Sequence, residues 1–188
     1  MSKASVVAPV RAESAQQADG ISPALFRNGM ACLASGISVV TTFGRNGHSG
    51  FTASSVSSVT DTPPTLLVCI NRAVSSCAEF THNRQLAISL LTDQQEDLSN
   101  RFSSGKLSRE ERFAGVSWEE MSNGCRAVSG CLAAFSCRIS DIHEVGTHNV
   151  LYCVVEEMRL GSGNESPLLW FSRSYHTSKS CLSNSPGI

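Results

Sequence analysis

Residues 131–140 read CLAAFSCRIS, and the alternation in this stretch decides the fold class. The odd-numbered residues from Cys131 to Ile139 are apolar, whereas Ser136, Arg138 and Ser140 are polar and fall on the opposite side of an extended chain. A period of two is typical of a strand with one buried and one solvated face. We therefore predict a strand that begins near Cys131.

Other apolar or β-branched segments on both sides of this stretch predict further strands. They are residues 38–43, 66–71, 85–91, 149–160 and 167–172. Pro63-Pro64 breaks the chain between the first two. Because strands outnumber helices and no strand–helix alternation is sustained, we expect a mainly β fold, an antiparallel barrel with a few peripheral helices.

Capping residues mark the starts of the predicted helices. Ser22 before Pro23 predicts a helix with apolar residues at helical spacing, which Gly36 is expected to end. A second helix is expected to run to about Phe102. Two pairs have the spacing of a capping box: Thr92 with Gln95, and Ser108 with Glu111.

Length and composition favour one globular domain. The chain has 188 residues, 41% of them hydrophobic, and a formal net charge of −1. This balance gives no electrostatic reason to expect nucleic acid or an anionic membrane as partner. We expect residues 1–20 to be a disordered lead, residues 21–176 to be the ordered domain, and residues 177–188 to be a flexible tail.

The N-terminal twenty residues lack the apolar core of a secretory signal, so we expect a cytoplasmic protein. Its eight cysteines are then expected to be reduced thiols. No zinc knuckle is present among them, and the even spacing of Cys125, Cys131 and Cys137 favours buried small apolar residues. His143 and His148 are five apart, a spacing that puts them on one face of neither a helix nor a strand, so no metal site is predicted.

No familiar nucleotide or nucleophile motif is present. Gly161-Ser162-Gly163 lacks the third glycine of a dinucleotide fingerprint, and the sequence contains no P-loop and no nucleophile elbow. What remains are two hydroxyl-rich runs, residues 50–60 (GFTASSVSSVT) and residues 71–76 (NRAVSS). Each run alone fits a solvated strand edge or a helix cap better than a site.

Together, the two runs could hold a phosphorylated heteroaromatic ligand. Ser75 and Ser76 precede a predicted short helix, residues 77–81, whose first N–H groups would favour an anion, with Arg72 nearby. His148 follows Gly146-Thr147 at a strand entrance, where it fits an ordinary loop histidine as well as a functional one.

The chain resembles the short-chain flavin reductase family, the reductase partners of two-component flavin-dependent monooxygenases. The segments that carry the resemblance extend from Leu25 to His176, over nearly the whole expected domain. They read FRNGMACLASGISVVTT, GFTASSVSSVTDTPPTLLVCINRAVSS, QLAISLLTDQQEDLSNRF, RFAGVSW, DIHEVGTHNVLYCVV and PLLWFSRSYH.

The resemblance implies a split β-barrel of Greek-key type, usually a homodimer. It implies reduction of free FMN or FAD by NADH or NADPH, with the reduced flavin released to a separate monooxygenase component. The alternatives are a flavin-binding oxidase of the pyridoxamine-phosphate type on a related barrel, and a non-catalytic flavin- or haem-binding protein.

The resemblance also assigns roles by position. Thr52, Ala53, Ser54, Ser55 and Ser57 would contact the isoalloxazine and phosphate, with Thr42 beside the ring. Asn71, Ser75 and Ser76 would hold the phosphate and ribityl chain, and Phe102 would line the pocket. His148, Arg173 and Tyr175 would face the nicotinamide, with His148 as the residue nearest to a catalytic role. Cys69 lies on the flavin-side strand and Cys77 follows the phosphate cap, so both are expected to make the site sensitive to oxidation.

Overall fold

A computed structural model describes residues 20–178. The predicted disordered lead, apart from Gly20, and the predicted tail after Ser178 lie outside the described residues. The helices are α1 (Pro23–Met30), α2 (Cys77–Asn83), α3 (Glu96–Ser103) and α4 (Arg109–Phe113), with a 3₁₀ turn at Asp93–Gln95. The strands are β1 (Ser35–Gly36), β2 (Ser38–Gly44), β3 (Gly47–Ala53), β4 (Val56–Asp61), β5 (Pro64–Asn71), β6 (Gln85–Leu90), β7 (Trp118–Glu120), β8 (Arg126–Val128), β9 (Ala133–Val145), β10 (His148–Leu160), β11 (Leu168–Phe171) and β12 (Ser174–Thr177).

Seven strands form one antiparallel sheet in the order β3-β2-β6-β9-β10-β5-β4. Phe51 of β3, near one end of this order, and Val68 and Ile70 of β5, near the other end, belong to the same buried cluster. The sheet therefore curls round a shared core, into which α2 contributes Phe80. This arrangement confirms the predicted mainly β, split-barrel fold with helices at the periphery.

A second core lies on the other face of the central strands. Val39 of β2 and Leu98 and Phe102 of α3 pack there with Leu168 of β11. A three-stranded sheet in the order β1-β11-β12 covers this core, and β7 and β8 form a separate two-stranded sheet. Neighbouring residues of β2, such as Val39 and Val40, are thus buried on opposite faces.

The predicted polar face of β9 is wrong at one position. Arg138 and Ser140 are exposed, but Ser136 is fully buried. Cys131 packs in the second core whereas Cys137 packs in the first, so these two do not share a face. The reason is that both faces of the first half of β9 are covered, which a pattern of period two does not reveal.

The capping predictions are confirmed with one correction. Ser22 accepts a hydrogen bond from the Leu25 N–H at 3.1 Å, and both predicted capping boxes form. The first helix, however, ends at Met30, and Gly36 belongs to β1, which pairs with β11. None of the helices within residues 20–178 has the length and apolar character needed to cross a bilayer.

Candidate functional site

Two adjoining cavities lie between β3, the start of α2 and the segment that joins α3 to α4. The larger, of about 440 Å³, includes Thr52, Asn71 and Phe102 in its lining. The smaller, of about 270 Å³, includes Ser76 in its lining. Both are lined by Ser75 and Arg112, so they form one continuous cleft.

Phe102 forms a wall of this cleft, and Gly50 allows it to do so. A Cβ on Gly50 would lie 2.8 Å from Cε1 of Phe102 and 2.9 Å from the carbonyl oxygen of Val40. Any larger residue would therefore push α3 away from β3. Phe102 is 2% exposed and packs edge-to-face on Phe113, with ring centroids 5.0 Å apart.

Thr52 connects the hydroxyl-rich strand to the C-terminal hairpin. Its Oγ1 donates to the carbonyl of Ser99 at 2.6 Å, and Ser99 Oγ lies 2.9 Å from the Tyr175 hydroxyl. Tyr175 also donates to Asn100 Oδ1 at 3.0 Å. The structure therefore brings Thr52, Phe102 and Tyr175 to the same helix, α3.

The smaller cavity carries the polar groups suited to an anion. Ser76 is 5% exposed, and its Oγ is buried without a hydrogen-bond partner among the described residues. Nε of Arg112 is likewise buried and unpartnered there, while its Nη2 donates to the Ser104 carbonyl at 2.7 Å. Arg109 lines the same cavity. Because a buried polar atom without a partner costs stability, these donors fit a bound phosphate.

Arg112 and Arg109 replace Arg72, which sequence reasoning placed beside the phosphate. Arg72 instead pairs with Glu144 at 2.8 Å and donates to the Gly146 carbonyl at 2.7 Å, on the exposed β9–β10 turn. The Ser108 capping box placed Arg112 on a short helix, but only tertiary packing brings that helix over Ser75.

The rest of the first hydroxyl run is dispersed by the turn between β3 and β4. Ala53 is buried in the core and Ser54 is exposed at the turn. Ser55 Oγ donates to the carbonyl of Cys69 at 3.1 Å, so it ties β4 to β5. Ser57 is exposed on β4 and lines a separate, largely apolar cavity of about 310 Å³. The proposed contact of Ser57 with the flavin is therefore not supported by its position.

Thr42 also lies away from the cleft. It is fully buried, and its Oγ1 donates to the Gln85 carbonyl at 2.7 Å and accepts from Asn83 Nδ2 at 3.2 Å. Its hydroxyl therefore secures β2 to the segment after α2. The expectation that Thr42 lies beside the ring is wrong for this reason.

Asn71 and His148 are brought together by strand pairing. They are direct partners in the β5–β10 register. Asn71 Oδ1 accepts from the Ala73 N–H at 2.9 Å, which orders the chain leading to Ser75. His148 is exposed, and its Nδ1 lies 2.9 Å from Thr147 Oγ1. The structure thus places His148 at the rim next to the cleft lining.

Arg173 lies on a two-residue turn between β11 and β12. Ser172 and Arg173 have φ values of 49° and 61°, a left-handed conformation that favours glycine. Nη2 of Arg173 donates to Asn28 Oδ1 of α1 at 2.6 Å. Within residues 20–178, no hydrogen bond joins His148 to Arg173 or Tyr175, so one chain does not assemble these three into one group.

Seven of the eight cysteines lie in the described part of the chain, and all seven are free. Five are buried, and burial raises the pKa of Cys125 and of Cys153 to about 12. Burial also raises the pKa of Cys77, whose Sγ accepts from Asn149 Nδ2 at 3.5 Å. A raised pKa lowers the thiolate fraction, so Cys77 is poorly suited to make the site sensitive to oxidation. Cys69 is half-buried.

Comparison with known proteins gives consistent matches along the chain. The family model described as "Flavin reductase like domain" matches residues 30–179. The FMN reductase (NADH) RutF of Escherichia coli (strain K12) is 46% identical over 151 residues, which cover 80% of this chain and 91% of that protein.

Solved structures have the same fold. A crystal structure from Haemophilus somnus 129pt is 42% identical with a TM-score of 0.81, covering 84% of this chain and 100% of that one. The styrene monooxygenase flavin reductase of Pseudomonas putida S12 is 25% identical with a TM-score of 0.74, covering 84% of this chain and 99% of that one.

Proposed function

The chain belongs to the flavin reductase-like family, and we propose that it uses NADH to reduce free FMN and releases the reduced flavin to a separate monooxygenase. FMN and NADH are the flavin and the donor in the name of the RutF relative. Release to an oxygenase is in line with the styrene monooxygenase reductase, which has the same fold.

The observation that carries the proposal is the pair of unpartnered buried groups at one end of the cleft. Among the described residues, Ser76 Oγ and Arg112 Nε have no protein partner, and a phosphate would supply one to each. The larger cavity, with Thr52, Asn71 and Phe102, is then left for the ring and ribityl chain. An apolar wall combined with a few polar groups is typical of a cofactor site.

The chain's own residues have positioning roles in this reaction. Bound flavin supplies the hydride acceptor, so the protein has to align the two rings and exclude water. Phe102 and Phe113 exclude water from one side of the cleft. His148, at the rim, is proposed to orient the nicotinamide, with Arg173 and Tyr175 as further contacts on the donor side.

A homodimer would complete the donor side. Within the described chain His148 lies on the β9–β10 turn and Arg173 on the β11–β12 turn, with no hydrogen bond between them. Large apolar side chains are also exposed on the described surface: Leu25, Phe26, Val59, Val145, Met158, Leu160 and Phe171. Exposed apolar surface of this kind is typical of an association face. Free thiols in the described region support the further proposal of a cytoplasmic enzyme.

Steady-state turnover tests the proposed activity. Purified protein is mixed with NADH and an excess of FMN, and nicotinamide absorbance is followed. We expect many turnovers per enzyme, with FMN and NADH used in preference to FAD and NADPH. Absence of oxidation with every pairing of pyridine nucleotide and flavin would refute a reductase. Sedimentation velocity on the same sample tests the dimer, and a monomer at assay concentrations would exclude it.

A further inference from the structure

We infer that the Glu79–Arg109 ion pair closes the phosphate end of the cleft and makes the protein select FMN over FAD. This inference rests on the proposed function, since it concerns the flavin that the same cleft takes. Nothing in the family resemblance assigns a role to either residue. Both are therefore candidate specificity-determining residues that sequence reasoning did not single out.

The position of the pair is the first argument. Arg109 lines the small cavity together with Ser75, Ser76 and Arg112. Glu79 lines a different, polar cavity of about 620 Å³ beside α2. The Arg109 guanidinium donates both to the Glu79 carboxylate and to the Asn46 carbonyl, and Asn46 also lines that second cavity. The ion pair therefore stands between the two cavities.

The burial of the pair is the second argument. The Glu79 side chain is 16% exposed and that of Arg109 is 35% exposed, and Glu79 Oε2 is buried without a partner among the described residues. Opening the pair would leave a carboxylate unpaired in a poorly solvated place, which is costly. Of the six ion pairs in the described region, the other five lie between side chains that are more exposed, so this pair is the one best suited to act as a fixed wall.

The chemistry of the two flavins gives the third argument. FMN ends in a phosphate monoester that carries nearly two negative charges at neutral pH. Such a terminal group can sit against Ser76, Arg112 and the outward side of Arg109. FAD continues through a second phosphate to adenosine, which has to leave the small cavity past this wall. The Glu79 carboxylate then faces the second phosphate, and like charges repel.

Equilibrium binding tests the inference without turnover. Quenching of flavin fluorescence gives the Kd for FMN and for FAD in the unaltered protein, in Glu79→Gln and in the control Glu110→Gln. Glu110 is exposed on α4, next to Arg109, so its substitution makes the same charge change without breaking the pair. We expect the unaltered protein to bind FMN about tenfold more tightly than FAD, and Glu79→Gln to reduce this preference at least about fivefold by tightening FAD.

Two results would overturn the inference: equal affinity of the unaltered protein for FMN and FAD, or a preference in Glu79→Gln that matches that of Glu110→Gln. The double variant Glu79→Gln, Arg109→Gln leaves neither charge unpaired and covers the case in which the single variant does not fold. It is also expected to lose the preference, and a retained preference counts against the wall. NADH oxidation by the unaltered protein with FMN separates this failure from failure of the proposed function.

Discussion

The two ends of the proposed site differ in how the fold holds their polar groups. At the phosphate end, Ser76 Oγ and Arg112 Nε are buried on helix-bounded segments and have no protein partner among the described residues. At the donor end, His148 and Arg173 are exposed, lie at or beside turns between strands, and already bond to neighbouring side chains. Buried, unsatisfied groups favour a ligand that stays in place, whereas exposed groups with partners suit a ligand that must arrive and leave within each cycle.

Removing Arg112 should produce the largest effect on this contrast. Hydrogen bonds to a charged group contribute about 1.5–3 kcal/mol, so Arg112→Met should raise the Kd for FMN roughly 10- to 100-fold. Arg138→Met serves as control because Arg138 pairs with Glu156 on an exposed face. Fluorescence titration makes the measurement. If both variants bind FMN like the unaltered protein, the phosphate end has been placed wrongly.

Removing His148 should have a smaller effect, and on the other ligand. We expect His148→Ala to raise the KM for NADH roughly two- to tenfold, the range for one neutral hydrogen bond, and to leave the Kd for FMN unchanged. His143 lies on the same hairpin and pairs with Asp141, so His143→Ala is the matched control. Steady-state kinetics at saturating FMN decide the outcome. An unaltered KM for NADH would remove His148 from the donor side.

Replacing Arg173 should separate stability from function. Glycine tolerates the left-handed turn better than arginine, so Arg173→Gly should raise the free energy of unfolding by up to about 1 kcal/mol while it raises the KM for NADH. Ser172→Gly relieves the neighbouring left-handed residue but keeps the guanidinium, so it should stabilise the protein with no change in that KM. Urea unfolding and steady-state kinetics are the measurements. Equal kinetics for the two variants would show that Arg173 has only a structural part.

His48 should give the smallest effect, on the pH dependence of stability at the phosphate end. Its ring lies against Phe43 and Phe113, Nδ1 is buried without a partner in the described region, and burial, followed by the nearby Arg126, lowers its pKa. Because the unfolded chain takes up the proton first, stability present above pH 6.5 is lost as the pH falls through the lowered value.

His48→Phe should therefore weaken this acid sensitivity. Thermal midpoints at pH 7 and pH 5 provide the test, and the drop between them should be smaller in the variant than in the unaltered protein. An identical drop would show that another group accounts for the acid sensitivity. Glu120, the nearby carboxylate that partly opposes the shift, is the first alternative to examine.

The parts of the fold that could be predicted from the sequence are those set by local chemistry. Capping boxes at Thr92 and Ser108 depend on residues three apart, and both form. β3 was missed because its sequence, GHSGFTA, has two glycines and no apolar alternation. Its strand conformation comes from pairing with β2 along seven residues, which is a tertiary effect.

The site was predicted in part for the same reason. Thr52, Asn71, Ser75, Ser76 and Phe102 line the cleft as expected. Thr42 was misplaced because β2 is buried on both faces, and its sequence does not say which face meets the ligand. Arg112 was missed because its position over Ser75 depends on how α4 packs against α2, which no short motif encodes.

Pairing of β1 with β11 has a consequence for folding kinetics. Ser35 is the partner of Trp170, so nearly the whole described chain separates two adjacent strands, whereas β2–β3, β4–β5 and β9–β10 are hairpins of near neighbours. Closing such a long loop costs entropy before its contacts form, and distant pairings slow folding. The sheet that carries Tyr175 onto Ser99 depends on this closure. During refolding, the flavin cleft should therefore take shape before the donor side, and a refolding intermediate should bind FMN before it can oxidise NADH.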